Sequence, residues 1–375
     1  MIKKYLMLIL ITIWSCSKDS GIKNNDKTVI YSSIRSEHFS SIEKQLIDTT
    51  IFKSYCVIPL ETTNESIFRD INRICKFNDR IYIFDKSMNN VIIFDKKGKY
   101  INQIHNIGQG PKEYESAIDF CIDETNNDLV LLCDRPYKVM RFSKDGEFIN
   151  EKIFSEFKTA ITMDSGYFFC ELSDHPKYEI ECLDREFNPV YSRLTKQKNV
   201  TNSCYSGGKS LVKSKDICYS RRFDTSIYYL LKDSIVKKYE LDFGKFKAPM
   251  DLAHENDCKK FFSTIRDNKY IYSITNMVES ERYMLFKTNI CICLYDKQTN
   301  NLKAYNILYN PSLKYGSSAY YPNEGSANSI IVAIQPDRFS YYNEKSIKNN
   351  AELKHLVNNA KEDDNPVLIV YQFKE

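Results

Sequence analysis

Along most of this chain apolar and polar residues alternate with a period of two, and the alternation stops every few residues at turn-forming clusters. A period of two belongs to strands, whereas amphipathic helices repeat every three to four residues. Two stretches show the unit clearly: "RIYIFDKSMNNVIIFDKKGKYINQI" (80–104) and "DLVLLCDRPYKVMRFSKDGEFINEKI" (128–153). Each reads as an apolar strand closed by an aspartate (Asp85, Asp134), a polar turn, and a strand ending in phenylalanine (Phe94, Phe142). A lysine-bearing turn and another strand follow. Gly98 and Gly146, 48 residues apart, sit where those hairpins need positive φ. Weaker copies start at Gly166, Asp216 and Arg282. Several strands per unit, at a period of roughly 40–50 residues, predict the blades of a β-propeller. Helical spacing is confined to "IKNNAELKHLVNNA" (347–360), which predicts a short helical insertion near the C-terminus.

The first residues carry an address. "MIKK" supplies Lys3 and Lys4, "YLMLILITIW" is almost wholly apolar, and Ser15 and Cys16 follow. That order is that of a secretory signal, predicted over 1–15. Ten apolar residues span only about 15 Å as a helix, too short for a permanent membrane span. "ITIWSC" is similar to a bacterial lipobox, so Cys16 is expected to be lipidated and to hold an exported protein on the outer membrane or cell surface. Residues 16–50 begin with a polar run poor in large apolar side chains, which predicts a flexible tether.

Charge removes one class of partner. Lys and Arg number 53 against 49 Asp and Glu, and no basic run is long enough for a nucleic-acid patch. Tyr (27) and Phe (22) outnumber Gly (11), as suits strands. Twelve cysteines include no CxxC, and Cys291 and Cys293 lack a matching second pair, so zinc spacing is missing. Most lie in apolar runs and are expected to act as small buried hydrophobes.

Taken together, "VIPLETTNESIF" (57–68), "RIYIFD", "VIIFDKKGKY", "GQGPKEY", "YELDFGK" (239–245) and "DDNPVLIVYQFK" (363–374) resemble the six-bladed β-propeller lipoproteins of Bacteroidota, which are distantly similar to NHL-repeat propellers. The resemblance implies an all-β propeller of six four-stranded antiparallel blades over 51–375, and no shared reaction. A ring must join its ends or leave strand edges open. The apolar runs at 55–60 and 366–373 are the natural pair, with Pro366 at a position that needs no N–H.

"IGQGPKEY" (107–114) is a dense turn cluster. A phosphate-cradling loop would lead into a helix, but the strand-like "EYESAIDFCIDE" follows. The resemblance makes it a corner between blades: Gly108 and Gly110 permit the reversal, Pro111 stiffens its exit, and Tyr114 packs between blades. A side chain on either glycine is expected to meet positive φ. "SGGKS" (206–210) resembles the end of a P-loop, but Ser203 replaces its first glycine. "DETNND" (123–128) lacks the central glycine and terminal glutamate of a calcium loop. The five histidines are scattered and no GxSxG occurs. Asp85 and Asp134 remain candidates for the channel mouth, or for bonding the turns that follow them.

Two functions fit. One is a monomeric, non-enzymatic binding or scaffold module that displays blade loops to a glycan, peptide or protein and needs no cofactor. The other is a metal-dependent hydrolase or lyase of the lactonase type, its metal held by carboxylates and amides converging in the central channel.

Overall fold

The computed structural model describes residues 29–205, 207–326, 328–341 and 351–374. Signal 1–15 and Cys16 lie outside the described residues. The first three blades follow chain order. Blade 1 is β4 (Arg73–Phe77), β5 (Arg80–Asp85), β6 (Asn90–Asp95) and β7 (Tyr100–Ile104). Blade 2 is β8 (Ser116–Asp123), β9 (Asp128–Arg135), β10 (Tyr137–Phe142) and β11 (Phe148–Ile153). Blade 3 is β12 (Lys158–Asp164), β13 (Tyr167–Leu172), β14 (Tyr178–Leu183) and β15 (Pro189–Thr195). Blade 4 is β16 (Leu211–Lys213), β17 (Ile217–Ser220), β18 (Ser226–Leu230) and β19 (Ile235–Glu240). Blade 5 is β20 (Ile274–Glu279), β21 (Tyr283–Thr288), β22 (Ile292–Asp296) and β23 (Asn301–Asn310), with β24 (Tyr315–Ser317) added to β23.

Blade 6 is composite. β25 (Tyr321–Pro322), β26 (Ser329–Ile334) and β27 (Val367–Phe373) pair outward, and the fourth strand is the N-terminal β3 (Phe52–Pro59). Tyr55 lies opposite Tyr371, Ile58 opposite Leu368 and Pro59 opposite Val367, so the two ends of the ring share one antiparallel sheet. A helix, α3 (Ala351–Asn359), lies between β26 and β27.

The middle strands of each blade are apolar on both faces because both faces are covered. Ile81, Ile83, Ile92 and Phe94 are fully buried against blade 6, while Tyr82, Val91 and Ile93 pack against blade 2. Six hydrophobic clusters repeat this arrangement, each made by two neighbouring blades. The tight hairpins rest on local chemistry. Gly98 (φ 87) and Gly146 (φ 92) are both left-handed, and a Cβ on Gly98 would come within 2.0 Å of the Pro59 carbonyl oxygen of blade 6. In blade 3 the equivalent position is Phe187, at φ 59, its ring 4.7 Å from that of Phe168.

The expected tether does not hold for its second half. β1 (Val29–Arg35) pairs in parallel with β19, β2 (Ile42–Ile47) in parallel with β23, and α1 (Asp48–Ile51) leads into β3. The segment is a belt over the outer edges of blades 4 and 5. Exposed strand edges offer unpaired N–H and C=O groups, and pairing with them outweighs the segment's low apolar content. Its few large apolar residues carry the packing. Phe39 is 5% exposed and stacks on Phe246, Leu46 is 2% exposed, and Ile51 is fully buried.

Most of the cysteines are buried as expected, and two are paired. Cys204 and Cys258 form a disulfide, and eight others are buried as small hydrophobes. The bridge joins the connection from β15 to β16 with the one from β19 to β20. That second connection carries α2 (Cys258–Asn268), whose N-cap Asp257 accepts from the amides of Lys259 and Lys260. Phe261, Ile265, Ala253, Phe223 and Tyr272 form a seventh cluster around it. We call this stapled unit the cap.

Phe39→Ala is expected to cost about 3 kcal/mol, seen as a lower midpoint in chemical denaturation; an unchanged midpoint would return residues 29–47 to the status of a tether. Cys204→Ser releases a loop of 54 residues and should cost about 2–4 kcal/mol. Reductant should reproduce that loss in the parent and add nothing in the variant.

Candidate functional site

At one end of the channel the starts of the inner strands and the loops before them enclose a cavity of about 1270 Å³, to which all six blades contribute. Its floor is a closed ring of four alternating charges. Arg73, which opens β4, lies 2.6 Å from Asp119 of β8 and 2.6 Å from Glu324, in the turn between β25 and β26. Lys209, just before β16, completes it at 3.0 Å from Asp119 and 3.4 Å from Glu324. Backbone and hydroxyl groups anchor the carboxylates: the amide of Ile161 donates to Asp119 at 2.9 Å and the Thr162 hydroxyl to Glu324 at 3.0 Å. The Arg73 guanidinium also lies over the Phe120 ring, 4.7 Å from its centroid. Burial alone would raise the Asp119 carboxyl, but Arg73 and Lys209 outweigh it and hold Asp119 below the usual carboxylate range. Burial would likewise lower Arg73, yet Asp119 and Glu324 keep it above its ordinary value.

One wall, from blades 3 and 4, holds a second polar group. Glu171 of β13 accepts from the hydroxyls of Tyr219 (3.1 Å), Thr159 (3.2 Å) and Ser210 (3.3 Å). Glu179 of β14 approaches the same Tyr219 hydroxyl at 3.4 Å and accepts from the Gln197 amide at 3.1 Å. Burial raises both carboxyls above the ordinary glutamate value. A phenol has one proton to donate, so the Tyr219 hydroxyl can serve only one of the two carboxyls at a time.

The lining carries seven cationic side chains and four carboxylates. Arg73 and Lys209 belong to the ring, and Arg221 pairs with Asp224 at 3.2 Å. The other four, Lys86, Lys196, Arg222 and Lys287, pair with no carboxylate among the described residues. Lys196 donates to the Ser173 carbonyl, and Arg222 donates to the carbonyls of Asn202 (2.6 Å) and Cys204 (3.2 Å), which fixes the cap loop. The Lys287 ammonium makes no hydrogen bond among the described residues, and burial holds it below the ordinary lysine value. Tyr205, beside the disulfide, is 45% exposed and donates its hydroxyl to the Gly208 carbonyl at 2.6 Å.

The residues singled out from sequence lie elsewhere. "IGQGPKEY" joins β7 to β8. Tyr114 is fully buried there, its hydroxyl donating to the carbonyls of Asn89 (2.8 Å) and Ile104 (3.1 Å). Neither Gly108 nor Gly110 is left-handed; Lys112 is, at φ 66. A Cβ on Gly108 would meet the Glu113 carboxylate at 2.1 Å, the end of a flexible side chain that can turn aside at the cost of the bond it accepts from the Gly110 amide at 2.8 Å. Pro111 follows directly. Asp85 is fully buried and accepts from the amides of Arg69 (2.7 Å) and Met88 (3.1 Å) and the hydroxyl of Ser87 (2.6 Å). Asp134 is the last residue but one of β9, and neither aspartate lines the cavity. The missed signal was a charge flanked by apolar residues in an inner strand: Arg73 in "INRICKF" and Asp119 in "SAIDFCID". Lys209 sat in view within "SGGKS".

No curated protein matches this sequence. Among solved structures the chain is similar to a protein from Bacteroides fragilis described as exported, at 18% identity and a TM-score of 0.68, over 92% of this chain and 100% of that one. It is also similar to a member of the DUF4221 family from Bacteroides vulgatus, at 10% identity and a TM-score of 0.51, over 86% and 97% of the two chains. These likenesses concern the fold. The model of the family described as a domain of unknown function, DUF4934, matches residues 35–372, and the chain belongs to that family.

Proposed function

We propose that this chain is a non-enzymatic binding module of the bacterial envelope, exported by residues 1–15, held by lipid at Cys16, and binding its ligand in the cavity at the channel mouth. The observation that carries this reading is the use made of the floor carboxylates. A lactonase-type metal needs several oxygens free to turn toward it. Asp119 and Glu324 already face Arg73 and Lys209 and accept further bonds from neighbouring blades. A cavity with a neutralised floor and polar walls suits recognition better than metal chemistry. The disulfide fits an oxidising compartment, and the fold is that of a protein described as exported.

Asp119→Asn separates binding from metal chemistry. It leaves Arg73 buried with half its compensation, so stability should fall by about 3 kcal/mol, with added divalent cations leaving the parent's melting temperature unchanged. Stabilisation of the parent, but not of the variant, by a divalent cation would favour the hydrolase reading. Cys16→Ala should move the protein from the membrane to the soluble fraction; unchanged fractionation, or a mature N-terminus elsewhere, would remove the lipid anchor.

A further inference from the structure

We infer that the cavity takes an acidic oligosaccharide, a sugar chain bearing carboxylate or sulfate groups. The inference rests on the cavity being a ligand site. Charge comes first: the floor cancels itself, and Lys86, Lys196, Arg222 and Lys287 line the remaining space with no carboxylate paired to them among the described residues, Lys196 and Arg222 donating only to neutral carbonyls. The wall carboxyl closest to electrical independence, Glu171, is already satisfied by three hydroxyls. Anions are therefore attracted and cations find no free partner.

Size and texture point to sugar. At about 1270 Å³ the cavity exceeds the ~300–1,000 Å³ of ordinary small-molecule sites, which suits several linked residues. Peptide ligands are chosen through apolar side-chain pockets or an added strand. Here part of the apolar lining is turned into the blades: Ile74, Phe84, Leu172 and Ile274 are each under 5% exposed, while Ile71, Ile118 and Val200 keep some exposure to the cavity. Hydroxyls, amides and charges share the space with those few apolar groups, a mixture that suits a polyhydroxylated chain with apolar ring faces. The ring of Tyr205, 45% exposed, tethered through its hydroxyl and 6.0 Å from the Arg222 guanidinium, offers a flat surface on which a sugar ring packs.

The test is calorimetric titration of the purified soluble chain with four probes: hexagalacturonate, a chondroitin sulfate hexasaccharide, neutral cellohexaose and hexaglutamate. We expect binding of at least one acidic sugar, weakened by raised salt, with little binding of cellohexaose. The double variant Lys86→Met/Lys287→Met removes two charges that make no ion pair or side-chain hydrogen bond among the described residues, so its melting temperature should stay close to the parent's. Its affinity should fall at least tenfold, roughly the effect of one lost charge-assisted bond, and Tyr205→Ala should weaken binding independently. Acidic-sugar binding that the double variant leaves unchanged would place the ligand elsewhere and overturn the inference. Binding of hexaglutamate or cellohexaose alone would overturn it while keeping the binding-module reading. Binding of none of the four would count against both.

Discussion

Four charges that can tolerate burial only together set the geometry of this molecule. An isolated carboxylate or guanidinium at the axis would cost several kcal/mol in lost hydration. Arranged as Arg73, Asp119, Lys209 and Glu324 in alternation, each ion has two opposite neighbours, and blades 1, 2 and 6 and the segment leading into blade 4 become mutually dependent. Thr162 and Ile161 draw in blade 3. Hydrophobic seams hold each blade to the next, but they are non-directional and would tolerate small rotations. Hydrogen-bonded ions do not, and they fix how the inner strands meet. The same ring explains the character of the cavity above it, because charges that satisfy one another leave recognition to the walls.

The molecule is asymmetric around its axis. The cap leans over the connections between blades 3, 4 and 5, and the belt covers the outer edges of blades 4 and 5 before β3 completes blade 6. The outer strands of blades 2 and 3 have no added strand, and Ile149, Ile153 and Val190 on them are 46%, 68% and 48% exposed. One half of the ring is dressed and the other half is bare.

What was legible in the sequence was what is encoded locally. The hairpins at Gly98 and Gly146 need a left-handed residue, and glycine announces it. Blade 3 uses Phe187 for the same bend and holds it by burial, so its repeat looked degenerate. The ends of the ring could be matched because Tyr55–Leu60 and Pro366–Phe373 are long apolar runs with no other partner. The candidate site was illegible for the opposite reason. Arg73 and Glu324 come from opposite ends of the chain, β25 has only two residues, and Lys209 looked like a failed phosphate loop. Phe39 and Leu46 were isolated apolar residues in polar surroundings, and only the edges of distant blades give them meaning. Cys204 and Cys258 have no motif spacing and meet because two insertions do.

The belt also imposes an order of events on synthesis. The chain leaves the ribosome, and any translocation pore, N-terminus first, so β1, β2 and β3 emerge before anything they can pair with. β1 must wait for Ile235, β2 for Ala304 and β3 for Phe373. Until then three strands with unmet backbone groups remain open to wrong pairings, while the intervening blades can form from neighbouring hairpins. The earliest segment is therefore the last to find its place. In a nascent chain the edge of β3 stays unpaired until the final strand arrives.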